Sequence, residues 1–527
     1  MKFPTYFLHL PGVLATQIQP PLQNANHIFN AIHASMRQCG SSIHHNGMSF
    51  FLATVPAGTR LYHGNPDPDP IRDIGWMAFE PEHAMVFARP RRPRDGPPPP
   101  VQDQNVPQQE ILNEGMEQET ESGWLHTYET SRELRLLYID GTSAGKSRIG
   151  TLDLQDRVLF NDTIDGGVSV EDERAQKVCE LARTEWQGRL DGAIRMAAGF
   201  EIILCSAGKT LDTVKIMPVR RQENGNNNRP GPKAVDRNEK RQRGNEKKDN
   251  NLKRKKPTSD KFKAAHEEQN SERPNKPREK SGELLRAVTS RFNGIGGDRV
   301  RIYYDHFVSA YTFDLDLWPD NSPVPRLEHL STDDLSPLRD NLTSLIMDHE
   351  AYAAGSVNWQ SVADLIVTRY GWFLQGLVHG KHHGHRKKHE KIPQTKSPKA
   401  QISDVMVGFG DNSEESIALC STQFLSAPTN SAPLAHQALY NISHRICSTL
   451  IPLQAEQDDE VVRDTVRDLM AYLDWTVWKE CRGCRDDEFC AIPIWPRGSK
   501  KDFQNPKCRK FDEGWGTAND YWGEIWH

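Results

Sequence analysis

The chain reads as an α+β protein: an N-terminal α+β domain with small mixed sheets, a long disordered basic linker, and a mainly α-helical C-terminal domain with a cysteine-rich tail. Three observations predict this. Short apolar runs punctuated by Gly, Pro and Asp crowd residues 47–205, the signature of strands and tight turns. Past residue 330, apolar residues recur instead at three and four, the period of amphipathic helices. Between them, 219–282 is dense in Arg, Lys, Asn and Glu and almost devoid of large apolar side chains, so it cannot bury a core. The 527 residues, 36% hydrophobic with mean hydropathy −0.70, divide accordingly into 1–18, a signal peptide, then 19–218, the linker 219–282, and 283–527.

Taken in order, residues 24–38 place Ile28, Phe29, Ile32 and Met36 on one helical face, with Asn24 or Asn26 as N-cap. Strands follow at 49–55, 59–63 and 75–79, the last two separated by NPDPDP, whose prolines cannot continue either element. Glu80-Pro81-Glu82 starts a helix to about 89, since proline is tolerated and carboxylates are favourable in a first turn. Residues 90–122 are a Pro-, Arg- and Gln-rich insertion predicted to be disordered. Order resumes at Trp124, with a buried strand at 133–140, an amphipathic helix at 171–187, and short strands at 193–196 and 200–205. In the second half, 296–313 is one long strand or a strand pair, and helices are expected at 332–352, 357–378, 433–450 and 460–479.

The compartment is the central question. Lys2 precedes a short apolar stretch ending in Val13-Leu14-Ala15, which reads as a signal peptide. Sequons at Asn161, Asn341 and Asn441 permit glycosylation of an exported chain. Cys481, Cys484, Cys490 and Cys508 have the spacing C-x2-C-x5-C-x17-C. In an oxidising compartment they form two disulfides, and in a reducing one a four-thiolate zinc site is the alternative. In a nuclear or cytosolic protein, KRKK at 253–256 would be a nuclear address. The net charge of −5 neither requires nor excludes a nucleic-acid partner, which only the basic linker could contact. No apolar run is long enough for a transmembrane helix.

Two clusters suggest ligands. Five histidines in 379–391 could hold a soft divalent ion, although a solvated surface loop accounts for them without one. The strand ending at Asp140 opens onto GTSAGKS, 141–147, where Lys146 is placed as in a phosphate-binding turn. The pattern is one glycine short, and Asp140 occupies that place, so a structural turn is the simpler reading.

RLYHG at 60–64, WMAFEPEHAMVFA at 76–88 and GFEIILC at 199–205 together resemble the ADP-ribosyltransferase arrangement. The resemblance implies that His63 contacts the nicotinamide ribose of NAD, Tyr62 or Phe79 flanks the nicotinamide ring, and Glu201 hydrogen-bonds a ribose hydroxyl. Departure of nicotinamide creates an oxocarbenium-like centre, which a fixed carboxylate stabilises. The serine-bearing element of that family is absent, and Ala78 stands in its place. More broadly, HIFNAIHASMRQ, LLYIDGTSAGK, GTLDLQD, GGDRV and WKECRGC resemble a family of fungal proteins that generally carry signal sequences. That likeness implies export but no activity. A non-catalytic secreted or cell-surface binding glycoprotein is therefore the alternative function.

Overall fold

Strand β1 (Asn46–Val55) is buried along its whole length, with Phe50, Phe51 and Leu52 fully inaccessible. An apolar run of this kind is stable only when both faces and both edges are covered. One edge pairs antiparallel with β5 (Leu134–Gly141), the other with β9 (Arg301–Ser309), which returns from the far side of the basic segment. Phe51 stacks between Tyr138 and Phe307, with ring centroids 5.9 and 4.7 Å away.

The computed structural model describes residues 22–89, 123–164, 170–219, 282–348, 357–379, 396–410, 412–516 and 519–523. The expected signal peptide and the Pro-rich insertion lie outside them, as do all but the end residues of the linker and all but His379 of the histidine-rich loop. Nine described strands form one mixed sheet, ordered β8-β4-β2-β3-β7-β6-β5-β1-β9, in place of the small sheets expected. The added members are β2 (Arg60–Asn65), β3 (Gly75–Ala78), β4 (Gly123–Thr130), β6 (Gly192–Met196), β7 (Phe200–Leu204) and β8 (Leu211–Val219). All neighbours are antiparallel except β5 and β6. Strand β8 went unread because, as an edge, it leaves Val214 and Met217 exposed.

Helix α1 (Ala25–Ala34) lies against helices of the C-terminal half. Asn30 donates to the Leu473 carbonyl at 3.0 Å, and Arg37 grips Asp364 through two 2.7 Å bonds. Gln360 donates to the carbonyls of Ile32 and Ser35, satisfying acceptors that a helix end leaves open. The further helices are α2 (Gln38–Ile43), α3 (Pro81–Met85), α4 (Glu171–Arg183), the single turn α5 (Ala207–Thr210) and α6 (Gly282–Ser290). Beyond β9 come α7 (Thr332–Asp348), α8 (Trp359–His379), α9 (Pro398–Met406), α10 (Glu414–Ser421), α11 (Leu434–Leu453) and α12 (Asp459–Leu473). Expected helix 460–479 stops at Leu473 because Asp474 turns left-handed there. The stretches read from the sequence as two domains thus share one sheet and one core, and cluster as one compact unit. No described helix is long and apolar enough to cross a membrane.

Eight cysteines pair as Cys179–Cys205, Cys420–Cys447, Cys481–Cys490 and Cys484–Cys508, leaving Cys39 buried and free. The two tail disulfides match expectation. The other two were not anticipated, since their members are 26 and 27 residues apart with no local pattern to pair them.

A chain ending at residue 219 is expected to fail to fold, because losing β9 uncovers Phe50 and Phe51, each worth about 1.5–3 kcal/mol of burial. Co-expression of 1–219 with 282–527 should restore a protease-resistant complex. Independent folding of 1–219, scored by limited proteolysis, would contradict the shared core.

Candidate functional site

The fold brings three sequence-distant strands together as β2-β3-β7. Tyr62 pairs with Ala78, Ala78 with Glu201, and Glu201 with Arg195 of β6. Directly paired residues share a sheet face, so these four form one row, with Tyr62 and Glu201 roughly 10 Å apart across two interstrand spacings. Side chains alternate along a strand, so His63 projects from the opposite face, with Leu61 and Met77. Phe79 is almost fully buried in the main core, its ring 5.7 Å from the Arg299 guanidinium. The four residues proposed for one cleft therefore divide, Tyr62 and Glu201 from His63 and Phe79.

His63 is a strand clamp. Its Nδ1 bonds the Trp76 carbonyl of β3 at 2.6 Å, and its ring meets His126 edge to face at 5.8 Å. Burial lowers its pKa to about 4, against the opposing pull of the Trp76 carbonyl, so the ring is neutral at pH 7.

Glu201 belongs to a charge network built around two buried arginines. The Arg195 guanidinium, fully buried, reaches Glu201 Oε1 at 2.5 Å, Glu171 Oε2 at 2.6 Å and Gln155 Oε1 at 2.9 Å. Arg174 bonds Glu171 Oε1 at 3.0 Å and both Asp156 oxygens at 2.8–2.9 Å. Burial raises the Glu171 pKa, but Arg195, Lys146 and Arg174 hold it below the ordinary value. The network spans β6, β7, α4 and the π-helical turn Leu154–Leu159, and removing one buried partner costs about 3–5 kcal/mol.

Lys146 acts electrostatically on Glu171, and most amides of the turn that carries it are engaged within the chain. Of the seven amides of residues 141–147, five bond within the chain: Gly141 N–H to Asp140 Oδ1, Thr142 to His45 O, Ala144 to Met196 O, Gly145 to Thr142 O and Ser147 to Gly145 O. Burial pushes the Asp140 carboxyl up to about 7, opposed by the Gly141 and Met48 amides. Asp140 Oδ1 thus takes up the amide of the first glycine of the turn.

Beside the row, one polar niche was not legible in the sequence. Arg291, after α6, is paired with Glu80 through Nη1, while its Nε and Nη2 and the Nδ1 of His83 are buried with no hydrogen-bond partner among the described residues. Both side chains crowd Gly199, where a Cβ would lie 2.8 Å from Arg291 Nη2 and from His83 Nδ1.

Of the sequons, Asn161 and Asn341 are exposed, whereas half-buried Asn441 donates its Nδ2 to Gln437 O at 2.8 Å and accepts from Leu22.

Residues 17–121 and 94–224 match the family described as the YPL277C N-terminal domain. The chain is similar to Uncharacterized protein YOR389W of Saccharomyces cerevisiae, 31% identical over 202 residues that make up 34% of this chain and 31% of that protein. It is likewise similar to Uncharacterized protein YPL277C of the same yeast, 32% identical over 202 residues, 34% of this chain and 40% of that one. The chain thus spans 31% and 40% of the length of these two relatives. No solved structure matches it. The matches support the likeness to fungal proteins across the N-terminal half. Their names state no activity, and none of the matches is to an ADP-ribosyltransferase.

Burial lowers the pKa of His27, His45 and His63 to about 4, and of His33 and His83 to about 3. Unfolding restores values near 6.5, so below that pH the unfolded chain binds more protons and stability falls as pH drops toward 3–4. Asp140 and Glu480, both raised by burial, act in the opposite sense, while burial also lowers His44, His126 and His444, so two carboxyls stand against eight imidazoles. Urea midpoints should fall steadily from pH 7 to pH 4, less steeply in His83→Gln. A flat profile would contradict neutral buried histidines.

Proposed function

We propose that the chain is an exported, disulfide-stapled protein whose Tyr62–Ala78–Glu201 row is an NAD-binding surface of the ADP-ribosyltransferase type. The observation that carries this reading is the convergence of Tyr62, Ala78 and Glu201, separated by up to 139 residues, on three adjacent strands. In this reading Glu201 faces the nicotinamide ribose and Tyr62 flanks the base. Arg195 fixes the Glu201 carboxylate through one oxygen, so the carboxylate is oriented before substrate arrives. His63 contributes from behind by tying β2 to β3, as a positioning residue. Export is supported by four disulfides, which persist in oxidising compartments.

A second reading, a non-catalytic secreted binding glycoprotein, is favoured by the same Arg195 contact, which partly neutralises Glu201, and by the buried state of Phe79.

Natively produced protein is expected to show cleavage near Ala15, glycans and four disulfides by peptide mass spectrometry. Purified protein should hydrolyse NAD to nicotinamide, with Glu201→Gln at least 100-fold slower per folded molecule; its thermal midpoint should also fall, because Arg195 loses a charged partner. NAD left intact at millimolar concentration by a folded, fully oxidised protein would favour the binding reading, and an uncleaved Met1 with free thiols would remove export.

A further inference from the structure

The four tail cysteines converge more closely than two independent disulfides require. Strands β10 (Glu488–Cys490) and β11 (Cys508–Lys510) form a two-stranded ribbon in which Cys490 lies directly opposite Cys508. The loop carrying Cys481 and Cys484 folds over that ribbon, and each of its cysteines bonds a different strand, with Cα separations of 5.3 Å in both cases. As a result the Sγ atoms of Cys481, Cys484 and Cys508 all lie within 4.8 Å of one another, and Cys490 is bonded to the first of them. The Cys481 amide donates to Cys490 Sγ at 2.9 Å, a bond that favours negative charge on that sulfur.

A tetrahedral thiolate zinc site has Zn–S distances of about 2.3 Å and hence sulfur separations of about 3.8 Å. On reduction the bonded sulfurs must draw apart to reach that separation, whereas Cys481 Sγ already lies within 4.8 Å of those of Cys484 and Cys508 and need move little. A C-x2-C loop facing a cross-strand cysteine pair supplies four ligands from three backbone segments, which fixes a closed, four-coordinate shell. Arg482 and Lys507, adjacent in sequence to the ligands, offset part of the net −2 charge of zinc with four thiolates.

We propose that these four cysteines are a two-state centre: two disulfides when oxidised, and one zinc ion held by Cys481, Cys484, Cys490 and Cys508 when reduced. A dithiol or phosphine reductant supplies four electrons, and the sulfurs take up four protons. Binding one Zn²⁺ to the four thiolates then releases those four protons. The tail therefore keeps one fold in both redox states, since either cross-link ties the loop to the ribbon. The proposal is independent of NAD chemistry.

The test uses the full-length protein, reduced anaerobically with a phosphine and titrated with Co²⁺ and then Zn²⁺. One Co²⁺ per chain is expected, with the intense near-ultraviolet thiolate-to-metal and visible bands of tetrahedral thiolate coordination, displaced stoichiometrically by Zn²⁺. Alkylation followed by peptide mass spectrometry should show Zn²⁺ protecting the four tail cysteines at least tenfold, and Cys179, Cys205, Cys420 and Cys447 not at all. The double variant Cys484→Ser/Cys508→Ser should lose the bands, and Cys179→Ser/Cys205→Ser should keep them. Six-coordinate cobalt spectra, which would place the metal on histidines, or equal protection of all cysteines would overturn the proposal. Because the protection pattern is read on the unsubstituted chain, misfolding of a variant leaves the test intact.

Discussion

The structure depends on the edge of β1. A strand carrying Phe50, Phe51 and Leu52 with no exposed position cannot end a sheet, because its open amides and carbonyls would be stranded against an apolar layer. The chain supplies the missing edge only after 245 further residues, when Arg301–Ser309 returns to pair with it. That closure explains why the basic segment interrupts a single folded unit. It also explains why α1 can bridge the sheet and the late helices through Asn30 and Arg37.

Around this frame, buried charge is handled by pairing. Arg195 and Arg174 are both almost inaccessible, and each finds carboxylates on a different element, with Glu171 shared between them. Such a network defines geometry strongly because any slippage of β6 against β7 would expose an unpaired charge to a low-dielectric interior. Glu201 is rigid for that reason. Its fixed position suits the ribose-facing role proposed for it, and its half-neutralised charge favours a purely structural one.

The cysteines play a parallel part on the opposite side of the problem. Cys179–Cys205 ties α4 to the end of β7, and Cys420–Cys447 ties α10 to α11. Each closes a loop of roughly 25 residues, worth on the order of 3 kcal/mol in the chain-entropy account. The tail pairs do the same for a segment with very little regular structure of its own.

Much was legible in the chain alone. Periodicity located α1, β1, β5, α4, β7 and the long late helices, and the spacing of the last four cysteines marked a stapled tail. These are properties of local pattern, which the backbone expresses wherever a face must be buried. Partnership between distant segments was not legible. That Glu201 answers to Arg195, that His63 turns its back on Glu201, that Arg291 reaches Glu80, and that the two halves are one unit all follow from strand register and closure. A one-residue step along a strand reverses the face a side chain occupies. The sequence determined which residues are available for chemistry, and only the tertiary structure decided which of them share a face.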